Sequence, residues 1–183
     1  MTKIISILVI IGAFIGVFAL IELTGKEPEE IKVVNVTNFE ECVKAGQPVM
    51  ESYPRQCRVN DQTFIENIGN TIEKANLIRL ETPKPNDTIK SPLVLKGEAR
   101  GNWFFEASFP IIVTDWDGLI IGEGYATADG EWMTTEFVPF TATVNFTVAE
   151  NVYSKRGTLI LKKDNASGLP EHDDALEIPI MFE

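Results

Sequence analysis

The chain has 183 residues, 44% of them apolar and 23% charged, which suits an ordinary folded protein and excludes a largely disordered one. Its 16 Lys and Arg stand against 27 Asp and Glu, and the net charge of −11 repels phosphate backbones, so no nucleic acid is expected as a partner. One His and two Cys exclude a closed structural zinc site and the His clusters on which many hydrolases depend.

Residues 4–21 carry no charge, and only Ser6, Gly12 and Gly16 interrupt the apolar side chains. A helix of that length rises about 27 Å, close to the hydrocarbon thickness of a bilayer. The run predicts a transmembrane helix, with residues 1–25 as a signal anchor. The rival reading is a cleaved secretory signal, headed by Lys3. Ala19, Leu20 and Ile21 stand where a small-x-small cleavage site is wanted, and the run is long for a signal, so the anchor is preferred. No Cys follows closely, which argues against a lipoprotein. Lys3 precedes the run while Glu22, Lys26, Glu27, Glu29 and Glu30 follow it. The positive-inside bias therefore predicts a single-pass protein of the cell membrane with its C-terminal domain extracytoplasmic. Either topology puts the soluble part outside.

Residues 26–37 are polar, acidic and interrupted by Pro28, and read as a stalk. In residues 38–66, Cys42 and Cys57 enclose a turn-rich stretch with Gly46, Pro48 and Pro54. Two Cys in an exported chain are expected to pair, and the resulting loop contributes on the order of 3 kcal/mol in the chain-entropy view. Their spacing is not Cys-x-x-Cys, which disfavours a redox-active pair. Residues 67–75 read as a linker.

From residue 76 the chain reads as strands to residue 183. Val138, Phe140, Ala142, Val144, Phe146 and Val148 alternate with polar neighbours or Pro139, a period of two that buries one face and wets the other. Leu176, Ile178, Ile180 and Phe182 repeat the pattern, with Pro179 marking an edge. Asp117-Gly118 and Asp129-Gly130 are hairpin turns. Further strands are expected over 77–81, 92–99, 109–114, 119–126, 132–137 and 157–163. About eight short strands and no long helical pattern predict an all-β fold, an immunoglobulin-like antiparallel β-sandwich over residues 76–183.

The phrases "SPLVLKGEARGNWFFEASFPI", "GEGYATADGEWMTTEFVPFTATVNF" and "GTLILKKDNASGLPEHDDALEIPI" begin at Ser91, Gly122 and Gly157. They resemble the immunoglobulin-like domain of bacterial spore germination proteins, the Gmad2 family. The resemblance implies a β-sandwich presented outside the bacterial membrane, in a family tied to spore germination and cell-surface proteins, without established catalysis. "FEECVKAGQPVMESYPRQC", from Phe39, is similar to a small Cys-pair module of bacterial envelope proteins.

Two groups of residues have the chemistry of a site. In "KKDNASGLPEHDD", Asp164, Asn165, Glu171, Asp173 and Asp174 are hard oxygen donors of the kind Ca2+ takes, and His172 suits a transition metal. The order is not that of an EF-hand. Such residues equally bond their own backbone while Gly168 and Pro170 shape the turns; no cofactor is therefore expected, with Ca2+ as the open alternative. "GNWFFEASFP" and "EWMTTEFVPF" place Trp103 before Glu106 and Trp132 before Glu136. Trp beside carboxylates holds sugars in many modules, whereas large aromatics in a sandwich usually form core. Trp116, beside a turn, is the Trp expected to be exposed. Glu106 and Glu136 have the chemistry of a glycosidase pair, and Arg100 is an equally good salt-bridge partner for them. No Gly-x-Ser-x-Gly elbow supports a triad. The expected function is a membrane-anchored, non-catalytic binding or assembly module of the cell envelope, possible partners being envelope proteins or cell-wall glycan. The alternative is a cell-wall carbohydrate binder or weak glycoside hydrolase using Trp103, Glu106, Trp132 and Glu136.

Overall fold

The first described element is a six-residue helix, α1 (Phe39–Lys44), in a computed structural model that describes residues 35–183. The predicted membrane segment and most of the stalk lie outside these residues. Among the described residues, no helix is long and apolar enough to cross a membrane.

Helix α1 starts where its caps dictate. Asn38 Oδ1 accepts the Glu41 N–H at 2.9 Å, and the Glu41 carboxylate reaches back to the Thr37 N–H and hydroxyl at 2.8 and 2.9 Å. The bond from Glu41 N–H satisfies an amide that the first turn leaves orphaned, and the bonds to Thr37 fix the residue that precedes the cap. Phe39 and Cys42 face inward. A small sheet follows in the order β1 (Val49–Met50), β2 (Gln56–Val59), β3 (Gln62–Ile65), with both pairs antiparallel. The Cys42–Cys57 disulfide, with Cα atoms 6.1 Å apart, ties α1 to β2, so the expected pairing is formed.

The predicted linker is packed. Its α2 (Thr71–Lys74) sits beside the last strand of the chain, where the Asn70 side chain donates to Ala175 O at 2.9 Å and accepts from Glu177 N at 2.8 Å. A Cβ on Gly69 would fall 1.8 Å from Glu177 O, so only glycine allows this approach. Val36–Glu183 clusters as one compact unit.

The remaining strands are β4 (Ile78–Thr82), β5 (Thr88–Ile89), β6 (Leu93–Arg100), β7 (Ser108–Thr114), β8 (Ile120–Ala128), β9 (Phe137–Val144), β10 (Arg156–Lys162) and β11 (Ala175–Phe182). They form one hydrogen-bonded sheet in the order β4-β6-β9-β8-β7-β10-β11-β5. The alternating residues of β9 and β11 bury Val138, Phe140, Ala142 and Val144, and Leu176, Ile178, Ile180 and Phe182. Phe109 on β7 meets Phe140 on β9 edge-on at 4.9 Å. These strands are not neighbours, so the contact crosses the interior of a sheet curled over its core.

Three expectations change. Two separate antiparallel sheets are replaced by a single curled one, because β8 pairs with β9 at Thr127↔Thr141 and Ala128↔Phe140. Gly122 and Gly124 permit this closure: a Cβ on Gly122 would lie 2.6 Å from Phe146 Cβ, and one on Gly124 3.0 Å from Val144 Cγ2. Strand β5 pairs in parallel with β11, at Met181↔Thr88 and Phe182↔Ile89. Residues 132–136 form turns and not a strand, with Met133 N–H donating to Glu131 Oε1 and Glu136 N–H to Thr134 Oγ1.

Candidate functional site

Strand direction sorts the connections to two ends of the curled sheet. One end collects residues 101–107 after β6, 129–136 before β9 and 163–174 between β10 and β11. Every sequence-predicted site residue except Trp116 and the two Cys falls in these three loops. Two approaches hold them together. Asp164 N–H donates to Trp103 O at 3.1 Å. Gly101 packs so closely that a Cβ would fall 2.2 Å from Trp132 O and 2.0 Å from Thr134 O.

Trp103 is 1% exposed and belongs to the core, so it offers no face to a ligand. Its indole N–H is buried without a hydrogen-bond partner among the described residues. Trp132 is half-buried and packs against the same core. Glu136 faces Arg100, whose Nη1 lies 3.6 Å from its carboxylate. Arg100 also donates to Asn76 O and Thr135 O and stands 4.0 Å from the centre of the Phe137 ring, with Arg79 at 4.1 Å from the same ring. Glu106 is exposed in a tight turn closed by reciprocal bonds between Phe105 and Ser108, both 3.0 Å, with φ of 50°.

The acidic loop is knitted by its own side chains. Asn165 donates to Leu169 O at 2.8 Å and to Asp173 Oδ1 at 2.9 Å, while its carbonyl oxygen accepts from Ser167 N–H and Oγ–H. Ser167 Oγ also lies 2.9 Å from His172 Nδ1. Asp174 accepts from Lys74 Nζ at 2.5 Å and from Ala175 N–H. Glu171 sits in a short 3-10 turn, Pro170–His172. Among the described residues, no group of three His, Cys, Asp or Glu side chains is placed to hold a metal ion. What the loops can do chemically is present a fixed, uneven surface on which Phe105, Met133 and Leu169 are exposed apolar groups. The one signal for these three in the sequence is that they are apolar side chains in turn-rich stretches.

Trp116 lies at the opposite end and is exposed, as its turn predicts. The family model for the immunoglobulin-like domain of bacterial spore germination, Gmad2, matches residues 77–168, which covers β4 to β10 and the start of the acidic loop. No curated protein and no solved structure matches the chain. With half of its length matched by that model, the chain belongs to the Gmad2 family of immunoglobulin-like domains of bacterial spore germination.

Proposed function

We propose that this chain is a membrane-anchored, extracytoplasmic module of the bacterial cell envelope, linked to spore germination, that binds or assembles with another envelope component without catalysis. Family membership is the observation that carries this reading. It is supported by a sheet that fixes three loops at one end, where exposed Phe105, Met133 and Leu169 supply apolar contact area. The carboxylates of Glu136, Asp173 and Asp174 are engaged with partners of their own fold, as structural groups are. The carbohydrate reading loses Trp103, which lies in the core.

A photocrosslinking residue at Met133 of the full chain, in bacterial cells, tests the surface. The expected outcome is cross-linking to a defined envelope protein from Met133 and none from Val94, which is exposed on β6 away from those loops. Binding of purified cell-wall glycan, abolished by Trp132→Ala at an unchanged melting temperature, would replace this reading with the carbohydrate one.

A further inference from the structure

The end of the sheet opposite the candidate site has its own surface. The β7–β8 hairpin tip and the β9–β10 connection expose Trp116, Leu119, Ile120 and Tyr153 by 45%, 65%, 50% and 88%. The Trp116 and Tyr153 rings touch, with centroids 5.2 Å apart. The tip is held in shape: Asp115 Oδ1 accepts the Asp117 and Leu119 N–H groups at 3.0 and 2.9 Å, and Gly118 turns the chain with φ of 83°. An aromatic pair thus projects from a rigid support, with exposed Leu119 and Ile120 following in the same hairpin, and exposed apolar groups of this kind mark contact surfaces.

The start of the described chain lies at this same end. Arg156, three residues after Tyr153, bonds to Glu40 of α1 at 3.3 Å. On the other side of the β10–β7 pair, Thr158 stands opposite Thr114, from which the hairpin tip departs. Between the predicted spanning segment and Val36 are residues 22–35, which at about 3.3–3.6 Å per residue reach at most about 50 Å. A reach of that length allows this end to touch the bilayer and does not fix how the sheet is tilted.

We propose that the Trp116–Tyr153 ridge rests in the headgroup layer of the bilayer that holds the anchor, and so turns the three-loop end away from the membrane. The proposal rests on the anchored reading above. Trp and Tyr, each with an apolar body and one polar hydrogen, favour that layer. Leu119 and Ile120 add apolar area, and exposed Lys155 beside Tyr153 places a cation for lipid phosphates. Tethering makes the contact intramolecular, so a surface too weak to bind vesicles alone is sufficient.

The test uses the full chain reconstituted into phosphatidylcholine vesicles whose acyl chains carry bromine, a quencher of Trp emission. Its three Trp are residues 103, 116 and 132, so the first 35 residues contribute no signal. Flotation first reports whether the chain is held by the vesicles. In floated chain, part of the emission should be quenched by brominated lipid, and that part should be lost in Trp116→Phe and kept in Trp132→Phe. Tyr153→Ser, which leaves all three Trp in place, should reduce it. Floated chain with no quenching, or with quenching unchanged by Trp116→Phe, overturns the proposal. Chain that does not float contradicts the anchored reading itself and the proposal with it.

Discussion

Glu66, directly after β3, is 8% exposed and joins the disulfide-tied segment to the large sheet. Its carboxylate accepts Arg55 Nε–H and Nη2–H at 2.9 and 2.6 Å and Asn86 Nδ2–H at 3.3 Å. Asn86 lies between β4 and β5, and its own N–H donates to Pro179 O of β11 at 2.7 Å. The hydrogen bonds from Arg55 hold the Glu66 carboxyl below its ordinary value, and the same pair holds the Arg55 guanidinium above its own. A carboxyl depressed in the folded state binds its proton more readily when unfolded. Its contribution is therefore present above the unfolded value and lost as pH falls through the ordinary carboxylate range toward the folded value. Glu66→Gln should cost about 1–2 kcal/mol at neutral pH and flatten the acid limb of stability, as read from melts between about pH 7 and pH 3. An acid limb identical to the parent's would contradict this role. Nothing in the sequence marks Glu66 among 27 acidic residues, because its partners Arg55 and Asn86 stand 11 and 20 positions away. Trp103 and Trp116 were more legible, one in an aromatic run beside a strand and the other beside an Asp-Gly turn.

At the scale of elements, periodicity found β9 and β11 because each buries every second residue against the core. Strand β5 escaped, since two residues hold no period and their pairing depends on the distant β11. Residues 132–137 read as strand from their β-formers, but Glu131 and Thr134 capture nearby amides and turn the chain until Phe137. Strand β11 is not the edge strand that Pro179 predicts, since β5 lies outside it; but β5 reaches only Met181 and Phe182, and along the open edge that remains the Glu177 N–H goes to Asn70 while Pro179 has no N–H to leave unpaired. The segment read as a linker therefore caps that edge, with Lys74 adding its ion pair to Asp174. A chain beginning at residue 68 should melt cooperatively, and one beginning at residue 76 should also fold but be less stable by about 2–3 kcal/mol, the sum of two hydrogen bonds and a partly exposed ion pair. Equal melting temperatures would mean that the edge needs no cap.

For the whole molecule, seven of the eight strands of the large sheet and the family were legible from residues 76–183, whereas β5 and the curl of the sheet were not. Continuity between its halves rests on two residue pairs between β8 and β9 and on close approaches at Gly122 and Gly124, and neither leaves a local pattern. The clustering of three loops at one end follows from strand direction, so it became visible once the order of strands was known. The functional account depends on where the Val36–Glu183 unit resides, and its sidedness is the part that sequence charge alone supports. The direct measurement is a pair of fusions after Glu183 in bacterial cells, one to alkaline phosphatase, which is active only outside the cytoplasm, and one to a green fluorescent protein that fluoresces only inside it. Extracytoplasmic placement of this unit predicts an active phosphatase and a dark fluorescent protein, both in the membrane fraction. A fluorescent fusion with an inactive phosphatase would contradict it.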